Sequence, residues 1–126
     1  MKTKLTWVII IAVAVAALAL YFILRGNKEV AAAPLDGFAQ CISDKGVAMY
    51  GADWCPHCQN EKKAFGDSFR FVKYIECPKD PNKCLSAGVK SYPTWIFADG
   101  TKKVGEQGVV NLSKDSGCAL PDDFTP

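Results

Sequence analysis

The 126 residues contain a single histidine, His57, and no internal repeat or low-complexity tract. That length leaves room for one domain, and without repeats a stacked-repeat architecture is excluded. A basic excess is missing from most of the chain. The net charge of +2 arises in the first 34 residues, where Lys2, Lys4, Arg25 and Lys28 against Glu29 give +3. Residues 35–126 hold 11 basic and 12 acidic side chains, a balance of −1. A nucleic-acid footprint spread over the domain is therefore excluded. Hydrophobic residues make up 49% of the chain, swollen by one N-terminal run. The chain is thus neither disordered nor wholly membrane-embedded.

That run is residues 7–24, WVIIIAVAVAALALYFIL, with Lys2 and Lys4 before it and Arg25 after. As a helix, 18 residues at 1.5 Å each cover about 27 Å, close to the hydrocarbon thickness of a bilayer. Trp7 and Tyr21 suit the two interfaces. A cleaved signal peptide competes, but its apolar region spans about 7–15 residues. The small-residue site Ala31-Ala32-Ala33 also lies far from the run and is followed by Pro34. The expectation is an uncleaved anchor over residues 1–25, a tether over 26–34, a domain over 35–118 and a flexible tail over 119–126. No cysteine follows the run directly, which argues against lipid attachment there. Flanking charge does not orient the helix, because two basic residues stand on each side. The six cysteines do: several are spaced like structural disulfides, which places the domain outside the reducing cytosol, in the periplasm or its equivalent, with a cytoplasmic N-terminus.

Within the domain, Leu35, Phe38 and Ile42 fall at i, i+3, i+7 before Gly46, which predicts a short helix over 35–45. Residues 47–50 read as a strand ending at Gly51, and Pro56 opens a helix running to about Gly66. Residues 70–76 read as a second strand, and 77–88 as a connection with one helical turn. Residues 94–97 and 102–105 flank an Asp-Gly turn and form a hairpin. Asn111 is placed to cap a closing helix that stops at Gly117. A helical crossover between the first two strands makes them a parallel, right-handed pair, and the hairpin adds antiparallel strands. The fold class is α/β, a four-stranded mixed sheet with flanking helices. Phe65, Phe69 and Phe71 are expected in the core, and Lys62, Lys63, Lys79, Lys83, Lys90, Lys102 and Lys103 on a solvated face.

The sharpest chemical signal is Trp54-Cys55-Pro56-His57-Cys58 between a strand and a helix. A lone CxxC says little. Here the first thiol falls at a helix N-terminus, where N–H groups without intrahelical acceptors and the helix dipole favour a thiolate. One turn on, Cys58 can reach back to close a reducible disulfide. Trp54 and Pro56 are expected to hold the first sulfur at the surface.

These residues, with GADWCPHC followed by SYPTWIF and a DG hairpin, resemble the thioredoxin fold in a trimmed form, over about residues 35–118. They are most similar to the thioredoxin-like module that is fused to, or partners, bacterial vitamin K epoxide reductase homologues. The resemblance implies that Cys55 attacks, Cys58 resolves and Pro93 is cis beside the disulfide, with Tyr92 and Thr94 framing the substrate-docking loop. It further implies protein thiol substrates and recharging by a membrane oxidoreductase of the vitamin K epoxide reductase or DsbB type. Two departures stand out: the first thioredoxin strand has no room before Leu35, and the buried acid six residues before the first cysteine is here Met49. A positively charged His57 beside a Cys55 thiolate would stabilise the reduced form. Motif dipeptides of this kind span about −270 mV in thioredoxin to about −120 mV in DsbA, a gap of ~7 kcal/mol. A comparatively oxidising pair is expected.

Cys77 and Cys84 bracket the polar loop PKDPNK and are candidates for a structural staple worth about 2–3 kcal/mol, or for a second redox pair. Cys41 and Cys118 remain as a further pair by elimination, or as free thiols. The spacing C-x2-C-x18-C-x6-C approaches a zinc ribbon, but its second pair is too wide and the strands too rich in Phe, Ile and Val. No metal and no organic cofactor is expected. The sequence thus points to an anchored, extracytoplasmic thiol–disulfide oxidoreductase that oxidises substrates. A reductase or isomerase of the same fold, and a non-catalytic domain with structural or zinc-bound cysteines, are its competitors.

Overall fold

A computed structural model describes residues 2–24 and 34–125. Helix α1 (Lys2–Leu24) stands as a unit separate from the domain. Residues 3–23 are exposed and apolar on every side. Such a helix is long and apolar enough to cross a membrane. Nearly all of the expected tether, residues 26–33, lies outside the described residues.

The domain is built in the order α2 (Asp36–Asp44), β1 (Ala48–Gly51), α3 (Pro56–Phe65), β2 (Lys73–Glu76), α4 (Pro81–Ser86), β3 (Thr94–Ile96), β4 (Lys102–Val104) and α5 (Gly108–Ser116). The strands form one sheet in the order β2-β1-β3-β4. β1 runs parallel to β2, pairing Met49 with Tyr74 and Gly51 with Glu76. It runs antiparallel to β3, which closes the hairpin with β4. The result is the α/β mixed sheet with flanking helices expected from the sequence, consistent with a trimmed thioredoxin-like fold.

Side chains alternate across β1, so the sheet has two apolar faces. Met49 joins the main core with Phe38 and Ile42 of α2, Phe65 of α3, Trp95 of β3 and Leu112 of α5. Ala48 joins a smaller cluster with Ile75, Cys77 and Cys84. Phe65 lies between Phe38 and Trp95, stacked at centroid distances of 5.7 and 6.0 Å. Large buried aromatic rings in contact are a strong source of core cohesion.

Four details differ from the sequence expectation. The strand predicted over 70–76 shortens to Lys73–Glu76, and Gly66–Phe71 is a 3-10 segment instead. β1 offers only four paired residues, so β2 is no longer than its partner. The preceding residues pack on α2, where Arg70 pairs with Asp36 at 2.5 Å. Second, Asn111 does not cap α5: it lies inside the helix, which begins at Gly108 with Gln107 as its N-cap residue. The Asn111 amide donates to the Gln107 carbonyl. Third, Lys62 leaves the solvated lysine face, pairing with Asp53 at 2.6 Å and standing 3.9 Å from the Tyr74 ring centroid. Fourth, the tail expected to be loose places Leu120 and Phe124 against the main core.

Candidate active site

Helix α3 opens at Pro56, whose fixed φ suits the first helical position, and draws its best helix formers from Gln59 and residues 61–64. Lys62 and Lys63 in its last turn complement the dipole, and Gly66 at φ +56° ends it. Cys55 is the N-cap residue, in an extended conformation, so its sulfur stands at the positive end of α3. Cys58 follows one turn later on the buried face that also carries Glu61 and Phe65.

Among the six cysteines, Cys55 and Cys58 alone are free. Cys41 is joined to Cys118, and Cys77 to Cys84, in disulfides with Cα separations of 6.0 and 5.7 Å. The first closes across the two ends of the domain, and the second holds α4 to the end of β2. Helix α2 and the residue after Gly117 thus come together, an adjacency that elimination proposed but spacing could not establish.

The expected surface position of Cys55 needs correction: the residue is only 6% exposed. The loop before β3 covers it, with the Tyr92 carbonyl 3.8 Å from its Sγ. The Tyr92–Pro93 peptide is cis, and Pro93 and Thr94 are buried. Thr94 is fixed by its hydroxyl, which donates to the Ser91 carbonyl at 2.7 Å. Trp54, by contrast, is 69% exposed and meets the Tyr92 ring edge-on at 6.1 Å. The site is a nearly covered sulfur under a loop, with an exposed aromatic beside it.

Cys58 is fully buried, and desolvation pushes its thiol up to about 11, reinforced by Cys55 and opposed by the Ala52 backbone and Lys62. A Cβ on Gly51 would lie 2.7 Å from Cys58 Sγ, so only glycine fits at the end of β1. His57 turns outward: its Nδ1 is 2.5 Å from Glu106 Oε1, which also accepts from the Asn60 amide at 3.1 Å. Those bonds hold the Glu106 carboxyl below its ordinary range.

Sequence reasoning missed Glu61 and Glu106. Glu61 is 2% exposed and accepts three hydrogen bonds, from Trp95 Nε1 at 2.6 Å and from the Gln107 and Gly108 N–H groups at 3.0 and 2.6 Å. It therefore caps α5 from a different helix, which explains why Asn111 is not needed for the task. The signal was available: Cys58, Glu61 and Phe65 share helical spacing, and a buried Trp95 needs an acceptor for its ring N–H. Glu106 carried no local signal, because its nearness to His57 depends on α5 docking against α3.

No protein-family model matches the chain. Among curated proteins it is similar to the thiol-disulfide oxidoreductase LTO1 of Arabidopsis thaliana, with 33% identity over 91 aligned residues. The alignment covers 65% of this chain and 24% of that protein, so the chain corresponds to about a quarter of the relative's length. This likeness and the free thiol pair at the head of α3 support thiol–disulfide redox chemistry for the domain.

Proposed function

We propose that the protein is a thiol–disulfide oxidoreductase that oxidises protein thiols through Cys55–Cys58. The observation that carries the proposal is the division of the cysteines: four are locked in two disulfides, and the two free ones head a helix beneath the Tyr92–Pro93 loop. A substrate thiolate attacks Cys55 Sγ, the Cys55–Cys58 bond breaks, and Cys58 leaves and takes up a proton. A second substrate thiolate attacks the substrate sulfur of the mixed disulfide and displaces the Cys55 thiolate. The substrate has then lost two electrons and the CxxC pair has gained them. The redox-active disulfide carries this chemistry without a metal or an organic cofactor.

Two disulfides besides the active pair favour an oxidising compartment, and α1 favours attachment of the domain to a bilayer facing it. Recharging then falls to a membrane oxidoreductase of the vitamin K epoxide reductase or DsbB type, which accepts the electrons from Cys55. The replacement of thioredoxin's buried acid by Met49, and His57 between the cysteines, support the oxidising direction over a reductase. The test is the reduction potential of the pair against glutathione, read by Trp54 fluorescence. A value well above about −200 mV is expected; one near −270 mV would reverse the direction of electron flow. The absence of any titratable couple would leave the domain non-catalytic.

A further inference from the structure

In each catalytic turn Cys58 must gain and lose one proton, yet it is fully buried. Met49, at the β1 position six residues before Cys55, offers no proton acceptor. The groups around the sulfur come from three elements. Cys55 stands at the head of α3 and Lys62 within it, the Ala52 backbone reaches the sulfur from the loop before, and β1 contributes the bare backbone of Gly51, while Asp53 acts on Tyr74. From β2 come Tyr74 and Glu76.

The missing side chain at Gly51 lets two groups approach one spot. The position of a Cβ there lies 2.7 Å from Cys58 Sγ and 3.4 Å from the Tyr74 hydroxyl oxygen. That hydroxyl donates to Glu76 Oε2 at 2.5 Å, and Glu76 Oε1 accepts from the Asp53 N–H at 3.1 Å. Lys62, paired with Asp53, covers the Tyr74 ring. The Tyr74 hydroxyl and Cys58 Sγ thus face each other across the space that a Gly51 side chain would fill, and the hydroxyl is bonded in turn to the half-buried Glu76.

We propose that Tyr74 and Glu76 are the proton path of Cys58, with the Tyr74 hydroxyl relaying between the sulfur and the Glu76 carboxylate. The inference rests on the reading of Cys55–Cys58 as the redox pair. When Cys58 Sγ attacks the mixed disulfide, the Cys58–Cys55 bond forms and the Cys55–partner bond breaks, the partner leaving as thiolate. The proton of Cys58 passes to Tyr74 Oη as the tyrosine's own proton passes to Glu76. In the opposite direction Cys58 leaves as a thiolate and recovers a proton by the same route. Burial first, and then Glu76, push the Tyr74 hydroxyl well above the ordinary phenol range, so it stays protonated and acts only as a relay.

The test uses the full chain in detergent micelles, with the active pair reduced and the two other disulfides intact, mixed with Ellman's reagent under stopped flow. The first thionitrobenzoate released reports attack by Cys55; the second reports its expulsion from Cys55 by Cys58. In Tyr74→Phe the ratio of second to first rate is expected to fall at least about tenfold near neutral pH. The second rate should also become steeper in pH, approaching tenfold per unit, because hydroxide replaces the relay. Glu76→Gln should reproduce both effects while keeping its bond to the Asp53 N–H. Unchanged second-phase rates and pH profiles in both variants would overturn the relay. So would an equal slowing of both phases with the pH profile intact, which is the mark of a mere brace. Absence of a first phase in the unaltered protein would overturn the redox reading itself, and the relay with it.

Discussion

The two flanks of the first turn of α3 are built for opposite tasks. On the outer flank Cys55 stands at the helix N-terminus under the Tyr92 carbonyl, with exposed Trp54 and the His57–Glu106 pair around it. On the inner flank Cys58 is fully buried against Gly51, with the Ala52 backbone and Lys62 acting on its sulfur and Tyr74 across the Gly51 gap. The outer sulfur stands at the helix N-terminus beneath the loop, whereas burial pushes the inner thiol up. One helical turn therefore separates a thiol at the helix head from a thiol sealed in the core. The difference teaches that a symmetric CxxC becomes directional through what packs against each sulfur.

The comparison breaks most completely at the sulfurs. Cys55→Ser is expected to reduce disulfide exchange to background. Cys58→Ser should retain attack but stop at the mixed disulfide, so that a covalent adduct with substrate accumulates on non-reducing gels. Equal behaviour of the two variants would mean that the flanks are not functionally distinct.

A smaller effect is expected behind the site. Glu61→Ala leaves the Trp95 ring N–H and two α5 backbone N–H groups without their acceptor, and should cost about 3 kcal/mol or more by chemical denaturation. The docking of α5 carries Glu106, so this variant should also loosen the outer flank while leaving Cys58 enclosed. Protection of the Cys58 thiol from alkylation checks that asymmetry.

The smallest effects sharpen the contrast through pH. The Cys58 thiol is raised from 9.0 to about 11 in the fold, so its contribution to the stability of the reduced protein is full below pH 9 and lost as pH rises through 11. The Glu106 carboxyl is lowered from 4.5, so its contribution is present above pH 4.5 and lost as pH falls through its lower folded value. Denaturation curves over both ranges should lose the alkaline slope in Cys58→Ala and a small acid slope in Glu106→Gln. The acid change is slight because the pair is exposed.

Much of this was legible in the chain. Periodicity and punctuation placed α2 and α3, the parallel pair and the hairpin, since Leu35, Phe38 and Ile42, the Pro56 and Gly66 boundaries and the Asp-Gly turn are local signals. The CxxC signal also stood out by itself, because two thiols a turn apart at a strand–helix junction form a local arrangement. The sequence misjudged the length of β2, which depends on how many residues β1 offers for pairing. The start of α5 was misjudged for a related reason, as its cap arrives from α3.

By itself, then, the sequence determined most of the elements, the apolar helix and the cysteine pair at the strand–helix junction, all set by neighbours within a few residues. Only the tertiary structure decided how those sulfurs differ: the loop over Cys55, the Gly51 gap, the Tyr74–Glu76 bond, the buried Glu61 and the partner of His57. All but the Tyr74–Glu76 bond join residues on different elements, and their separation through space is fixed by the packing of the sheet and helices rather than by spacing along the backbone.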